Sequence, residues 1–345
     1  MSVQTNVPSN SSHPAAHNRA PLSSANIASE QTFTGSRTFL RTPRASSAAG
    51  ADVAILGVPF DLATSNRPGA RFGPDAIRTA SAQLAELKAY PGGFDPLQYV
   101  KAVDLGDVYL DYGNPHTLPA AIEAAAAAVI EAGAFLCALG GDHFISYPLI
   151  KAQTKKHGPV ALVHFDAHSD TWRSGNALDG PVELNHGTMF CRAIDEGLIV
   201  PARSVQVGIR TWVDDAMGVT IIDNVMVETN RAADISAAVR QIAGEGPCYM
   251  TIDIDCLDPA YAPGTGTPVT GGLTPVKLLQ ILRGISDLNI VGFDLVEVAP
   301  VYDSGGITAL NAATIVYEQL CRMARRNGAP VLSYPEPRVA LPSGE

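Results

Sequence analysis

Charged and aromatic side chains are both scarce in this sequence of 345 residues. Asp, Glu, Lys and Arg make up 17% of it, and Phe, Trp and Tyr only 6%. Hydrophobic residues account for 46%, which excludes a wholly disordered chain, a coiled coil and a collagen. Basic residues number 24 against 34 acidic ones, for a formal net charge of −10. This balance argues against nucleic acid or an anionic membrane surface as the main partner.

Long hydrophobic runs are also lacking. The run Ala124–Ile130 is flanked by Glu123 and Glu131, and the uncharged stretch 259–276 is rich in Pro and Gly, so neither predicts a membrane span. The first 18 residues have no apolar core and do not resemble a secretory signal. The five cysteines are odd in number and form no CxxC or zinc pattern, which is typical of a reducing compartment. We therefore expect a cytoplasmic protein that is not associated with a membrane.

The chain divides into a short arm and one long domain. Residues 1–32 are rich in Ser, Ala, Asn and Pro, so we expect a disordered arm or one that docks on a neighbouring subunit. Residues 33–345 are expected to form a single domain, in which β-branched runs alternate with helical patterns from Asp52 onward. This alternation predicts an α/β fold of three layers, α/β/α, with a mainly parallel central sheet.

The predicted strands are 53–58, 100–105, 135–139, 160–165, 205–209, 219–222, 249–254 and 290–298. The predicted helices are 74–88, 118–132, 145–156, 235–243, 275–286 and 307–326.

Three of these strands end in side chains that are typical of metal sites. The segments are FLCALGGDHF (135–144), ALVHFDAHSD (161–170) and YMTIDIDCLD (249–258). Ligands bind at the carboxyl ends of strands in open α/β sheets. A single motif of this kind is often only a solvated loop or a helix cap, but three strand ends in one sheet favour a shared site.

The spacing of the acidic and imidazole groups sharpens this prediction. Residues two apart share one face of an extended chain, so each segment presents its side chains together. The candidate ligands are His143, Asp166, His168, Asp170, Asp253 and Asp255. Four carboxylates this close repel one another unless cations lie between them. The set is large enough for two divalent ions, and such a pair can activate water as a nucleophile at neutral pH.

The donor types also bear on the identity of the ion. Carboxylates and imidazoles without a thiolate suit a fairly hard octahedral ion, so Mn²⁺ is favoured, while Ni²⁺, Co²⁺ and Zn²⁺ stay open as alternatives. Cys256 lies inside the third segment, but strand alternation turns it away from the neighbouring aspartates. We expect Cys256 in the core.

The motifs GGDH (140–143), DAHSD (166–170) and DIDCLDPAYAPGTGTP (253–268) resemble the signature blocks of the ureohydrolases, the family of arginase and agmatinase. The resemblance runs from about residue 33 to residue 326. Further stretches, including GVPFDLATSNRPGARFGPDAIR (57–78) and HGTMF (186–190), are most similar to bacterial agmatinases. The resemblance implies an arginase-like fold and a homo-oligomer, a trimer or a hexamer.

The resemblance also implies roles for the matching residues. One metal would be bound by His143, Asp166, Asp170 and Asp253, and the other by Asp166, His168, Asp253 and Asp255. His186 would carry protons, with Asp170 as a candidate to pass a proton to the leaving amine. Glu297 would pair with the guanidinium of the substrate. The implied reaction cleaves a small cationic guanidino compound to urea and an amine, with agmatine as the leading substrate and putrescine as its product.

The segment between Asp170 and His186 is expected to set substrate specificity, and its residues leave alternatives open. Glu183 would favour the distal amine of agmatine, Arg173 would favour an acid such as 4-guanidinobutanoate, and Trp172 would favour a small alkylated guanidine or a biguanide such as metformin. Asn185 is a further candidate for the pocket wall. A non-catalytic subunit that keeps the fold is the alternative of another class, and the complete ligand set argues against it.

Overall fold

The computed structural model describes residues 35, 37–173 and 185–330. Within them lie eight β-strands and eight α-helices, which alternate along most of the chain, with short 3₁₀ turns between them. The strands are Val53–Val58 (β1), Ala102–Asp107 (β2), Phe135–Gly140 (β3), Ala161–Phe165 (β4), Val205–Ile209 (β5), Thr220–Asp223 (β6), Cys248–Asp253 (β7) and Ile290–Val296 (β8). The helices are Gly73–Ser81 (α1), Leu118–Glu131 (α2), Ser146–His157 (α3), Met189–Asp195 (α4), Asn224–Thr229 (α5), Ala232–Ala243 (α6), Pro275–Gly284 (α7) and Ile307–Arg326 (α8).

All eight strands form one parallel sheet in the order β2-β1-β3-β8-β7-β4-β5-β6. Alternate residues of the strands face two separate hydrophobic cores. Ile55 and Cys137 lie in the core under α1, α6, α7 and α8, whereas Leu56 and Ala138 lie in the core under α2, α3 and α4. The sheet is therefore covered on both faces, which explains why its central strands are almost continuously apolar. The predicted three-layer α/β/α architecture is confirmed.

Local sequence signals mark the start of α7. The α7 helix begins with Pro275 at its first position, and the side chain of Thr274 accepts a hydrogen bond from the backbone of Lys277. Several predicted boundaries differ from the structure, most of all in the first helix, and two helices were not predicted. The helix predicted over 74–88 ends at Ser81 and gives way to a 3₁₀ turn at Leu84–Glu86, and the short helices α4 and α5 were not predicted. Helices of six or seven residues present too few turns for an apolar period to be visible.

The chain before the first strand packs onto the domain. Phe39 and Leu40 are buried, with the Phe39 backbone N–H donating to Asp104 and that of Leu40 donating to Ser81.

The predicted arm of residues 1–32 lies outside the described residues. In the part of the chain that the structure describes, no helix is both long enough and apolar enough to span a membrane.

Candidate metal centre and substrate cavity

The order of the sheet brings the three motifs together. The strands β3, β8, β7 and β4 are consecutive neighbours at its centre, and because they are parallel their carboxyl ends meet at one edge. His143 follows β3, Asp166 follows β4, and Asp253 is the last residue of β7. Glu297 directly follows β8, whose last residue, Val296, pairs with Asp253. Segments more than a hundred residues apart in the chain therefore deliver their side chains to one place.

A first group of candidate ligands surrounds the Nδ1 atom of His143. This nitrogen lies 3.0 Å from an oxygen of Asp166, 2.9 Å from one of Asp170 and 3.4 Å from one of Asp253. All four side chains are buried. One imidazole nitrogen and three carboxylate oxygens are thus close enough together to coordinate a single cation.

A second group shares Asp166 with the first. The Nδ1 atom of His168 lies 3.4 Å from Oδ1 of Asp166 and 3.1 Å from Oδ2 of Asp255, whereas His143 contacts Oδ2 of Asp166. Asp166 therefore presents one oxygen to each group, as a bridging carboxylate would. All six residues expected to bind metal lie in this cluster, in which Asp253 contacts the imidazole of His143 in the first group.

The backbone achieves this convergence by turning, and the expectation of an extended chain was wrong. The strand β4 ends at Phe165, before the first ligand, and Asp255 lies in a 3₁₀ turn at Ile254–Cys256. Asp170 and Glu297 adopt φ values of 52° and 64°, a left-handed conformation that is rare outside glycine. Such strained positions cluster at functional sites, where the surrounding structure holds them in place.

The pKa values in the cluster show the effect of crowding several carboxylates in a buried place. Burial raises the pKa of Asp253 well above its usual range, and the nearby carboxylates of Asp255 and Asp166 add to this effect. Burial, with the charge of Asp166, also raises the pKa of Asp255 to about 6. Burial opposes a charged His168, but hydrogen bonds with Asp166 and Asp255 raise its pKa to about 12. Buried carboxylates as crowded as Asp253 and Asp255 would keep their negative charge only with cations beside them.

A test of fit comes from the atoms that lack partners. Nδ1 of His143 is fully buried and has no hydrogen-bond partner among the described residues, although three carboxylates surround it. A buried polar atom without a partner is costly, and coordination of a cation would satisfy it. Imidazole nitrogens and carboxylate oxygens without a thiolate are suitable ligands for divalent ions. The residues present therefore fit divalent cations.

Beside the cluster, Glu297 and His186 form a buried pair. Oε1 of Glu297 accepts hydrogen bonds from the backbone of His143, at 2.9 Å, and from Nδ1 of His186, at 3.0 Å. Its other oxygen, Oε2, is buried and has no partner among the described residues. Burial opposes a charged His186, but the Glu297 carboxylate outweighs it and raises the pKa of His186 to about 9. The pair leaves one carboxylate oxygen free to accept hydrogen bonds from a ligand.

A cavity of about 320 Å³ opens at His186, and Glu297 lies behind its lining residues as the hydrogen-bond partner of His186. Six of the predicted site residues line it: His168, Asp170, Trp172, Asn185, His186 and Asp253. Arg173 is not in the lining. Its guanidinium makes two hydrogen bonds of 3.1 Å with Asp195 on the partly exposed surface. Glu183 lies outside the described residues.

Two contributors to the site were missed by sequence reasoning. Ser65 lines the cavity and places its backbone nitrogen 2.9 Å and its hydroxyl 2.7 Å from Nε2 of His186. His164 is fully buried, and its Nε2 lies 2.7 Å from Asp166. The alternation that selected Asp166 and His168 also puts His164 on the same face, so the signal was present. Nothing local to Ser65 distinguishes it, since its partner is 121 residues away.

The glycine at position 141 explains how the first motif reaches the site. A Cβ atom there would lie 2.2 Å from the carbonyl oxygen of Phe60 and 2.6 Å from that of Val58. Only glycine allows this approach, and its carbonyl in turn accepts a hydrogen bond of 2.8 Å from the backbone of Glu297. Gly141 thereby joins the end of β1 to the end of β8.

Comparison with known proteins gives the class of this protein. The family model of the arginase family matches residues 51–321, and the chain belongs to that family. The predicted ureohydrolase class, a metal-dependent amidinohydrolase, is confirmed.

Within the family the chain is similar to agmatinases. It is 50% identical over 304 residues to the agmatinase of Chromobacterium violaceum, which covers 88% of this chain and 93% of that protein. The crystal structure of a hypothetical agmatinase from Burkholderia thailandensis matches with a TM-score of 0.83 at 48% identity, covering 86% of this chain and 93% of that one. Proclavaminate amidino hydrolase from Streptomyces clavuligerus matches with a TM-score of 0.80 at 36% identity, covering 86% of this chain and 99% of that one.

Proposed function

We propose that this protein is an agmatinase, which hydrolyses agmatine to putrescine and urea. The observation that carries the proposal is the buried carboxylate of Glu297, whose Oε1 accepts from the backbone of His143 and whose Oε2 has no partner among the described residues. A guanidinium is a planar cation with several N–H donors and suits such an acceptor. Identity of 50% with an agmatinase over most of the chain supports agmatine as the guanidino compound.

Two divalent cations are proposed to complete the site. One would be held by His143, Asp166, Asp170 and Asp253, and the other by Asp166, His168, Asp253 and Asp255. When bound, such a pair supplies a water molecule that is nucleophilic at neutral pH. Mn²⁺ is the favoured ion because the donors are oxygens and imidazoles, and Ni²⁺ is the alternative.

Glu297 is proposed to fix the guanidinium. Its Oε1 already accepts two hydrogen bonds, so the substrate would bind Oε2, which keeps both lone pairs free. The two existing bonds hold the carboxylate in one orientation before the substrate arrives. Such preorganisation lowers the entropic cost of placing the central carbon for attack.

His186 and Asp170 are proposed to move the protons that hydrolysis requires. The leaving amine must be protonated, and both side chains line the cavity. Ser65 offers Nε2 of His186 a backbone N–H donor and a hydroxyl that can accept. The ring therefore finds a partner in its neutral and its protonated form, as a residue that exchanges protons with solvent needs.

A small alkylated guanidine is the second candidate substrate, and the position of Trp172 favours it. The indole lines the cavity, and its Nε1 donates to the carbonyl of Trp212 at 3.3 Å, which fixes the ring as a wall. Arg173, the group that would select a guanidino acid, is paired with Asp195 instead. 4-Guanidinobutanoate is therefore the weaker alternative.

We also propose the organisation expected from the sequence: one catalytic domain over residues 33–345, an arm over residues 1–32, a homo-oligomer and a cytoplasmic location. The five cysteines are all buried free thiols, which supports a reducing compartment.

Urea release tests the function directly. Purified protein would be loaded with Mn²⁺ or Ni²⁺ and given agmatine, arginine, 4-guanidinobutanoate or N,N-dimethylguanidine. We expect agmatine to give the highest kcat/KM, and Asp253→Asn to abolish turnover while the exposed Asp287→Asn does not. A higher kcat/KM on dimethylguanidine would replace agmatine by the second candidate. No urea from any guanidine would contradict the enzymatic proposal altogether.

A further inference from the structure

A chain of hydrogen bonds runs from His143 into the interior of the sheet. Nε2 of His143, the nitrogen that faces away from the acidic cluster, lies 2.8 Å from the hydroxyl of Thr251. That hydroxyl in turn donates to Oδ1 of Asp294. Thr251 on β7 and Asp294 on β8 are paired residues of neighbouring strands, so the register of the sheet sets this contact. All three side chains are fully buried.

Asp294 accepts hydrogen bonds from three hydroxyl groups. Besides Thr251, Ser146 donates to Oδ2 at 2.8 Å and Tyr249 donates to the same oxygen at 2.6 Å. An ionised carboxylate acts as an acceptor only, and hydrogen bonds donated by three hydroxyls stabilise that form. A hydroxyl carries a single proton, and that of Thr251 is directed to Asp294. The Thr251 oxygen can therefore only accept from His143.

The direction of the Thr251 O–H bond determines which nitrogen of His143 carries the proton. If the Thr251 oxygen accepts, Nε2 of His143 must be the N–H donor. A neutral imidazole has one N–H, so Nδ1 keeps its lone pair. Nδ1 is the atom that faces Asp166, Asp170 and Asp253 and lacks a hydrogen-bond partner among the described residues. Only an unprotonated nitrogen can bind a metal ion.

We propose that Thr251 and Asp294 are positioning residues that fix the tautomer of His143 and thereby prepare Nδ1 to bind the metal. The inference rests on the metal role of His143 in the proposed function and does not depend on agmatine. The buried Asp294 orients the Thr251 hydroxyl, the hydroxyl orients the imidazole, and the imidazole completes the first group of ligands. Partners of this kind behind a metal-binding histidine raise its affinity for the ion.

The experiment compares Mn²⁺ binding by the full chain and its variants, with free Mn²⁺ measured by electron paramagnetic resonance. Thr251→Val keeps the shape of the side chain and removes the hydroxyl, so we expect one Mn²⁺ to bind about 10- to 100-fold more weakly. Thr251→Ser restores the hydroxyl and should bind within about threefold of the wild type. Tyr249→Phe is the matched control, because it removes another donor to Asp294 but leaves the hydrogen bonds from Asp294 through Thr251 to His143 in place.

Asp294→Asn is the second variant, used in case Thr251→Val does not fold. The amide of the new side chain can donate to the Thr251 oxygen, and the Thr251 hydroxyl can then donate to Nε2 of His143. In that case the ring proton lies on Nδ1, so weaker Mn²⁺ binding is again expected. Circular dichroism of the metal-free variants monitors folding. Affinity within twofold of the wild type for folded Thr251→Val or Asp294→Asn would overturn the proposal, and so would an equal loss in Tyr249→Phe. Wild-type protein that binds Mn²⁺ but releases no urea from agmatine would refute only the proposed function.

Discussion

Replacement of Glu297 by glutamine tests the guanidinium site with a change of a single atom. Oε1 accepts hydrogen bonds from the backbone of His143 and from His186, and a glutamine carbonyl in that position keeps both. The amide NH₂ then occupies the position of Oε2, which is buried and unpartnered in the native protein. The variant should therefore fold and bind metal normally, while presenting a donor to a substrate that also donates.

The size of the effect follows from the loss of a hydrogen bond between charged groups. Such a bond contributes about 1.5–3 kcal/mol, and a buried donor facing another donor adds the cost of an unsatisfied group. We expect a total loss of about 3 kcal/mol in transition-state stabilisation, which lowers kcat/KM by about 10²-fold. Initial rates of urea release from agmatine at saturating Mn²⁺ measure this directly.

A matched control separates this effect from general disturbance of the core. Glu318 is also a buried glutamate, but it lies on α8 and pairs with Arg283 and Arg325. Glu318→Gln should lower the stability of the protein and leave kcat/KM of the folded enzyme unchanged. If Glu297→Gln keeps kcat/KM within threefold of the wild type at equal metal content, Glu297 does not hold the guanidinium.

Two further predictions concern the proton carrier and the fold. His186→Ala should lower kcat by about 10²- to 10⁴-fold, since it removes a proton-transfer group, and added imidazole should restore part of the activity; wild-type rates would exclude the role. Arg78→Met should lower the free energy of unfolding by about 3–5 kcal/mol, because it leaves the fully buried Asp104 without its cation, whereas the exposed Arg231→Met should not, as denaturant unfolding would show. Equal stability of the two arginine variants would contradict that reasoning.

The sequence by itself determined the fold class and most of the candidate ligands. Apolar β-branched runs alternating with amphipathic stretches are a local signal, so a parallel sheet between two layers of helices was predictable. The ligands were equally visible, because Asp166 and Asp253 stand where buried strands end and because aspartate and histidine are chemically suited to metals. His164 follows the same alternation, so its position in the site was also predictable from the sequence.

The tertiary structure alone decided which of these residues touch and in what orientation. No local pattern states that β8 is inserted between β3 and β7, yet this order brings Glu297 to His143 and pairs Asp294 with Thr251. The left-handed conformation of Asp170 is likewise absent from the strand alternation of its own segment. Ser65 acquires its partner only when the chain folds. Contacts between distant residues depend on the packing of the whole sheet, whereas the period of a strand or a helix is contained in a few consecutive side chains.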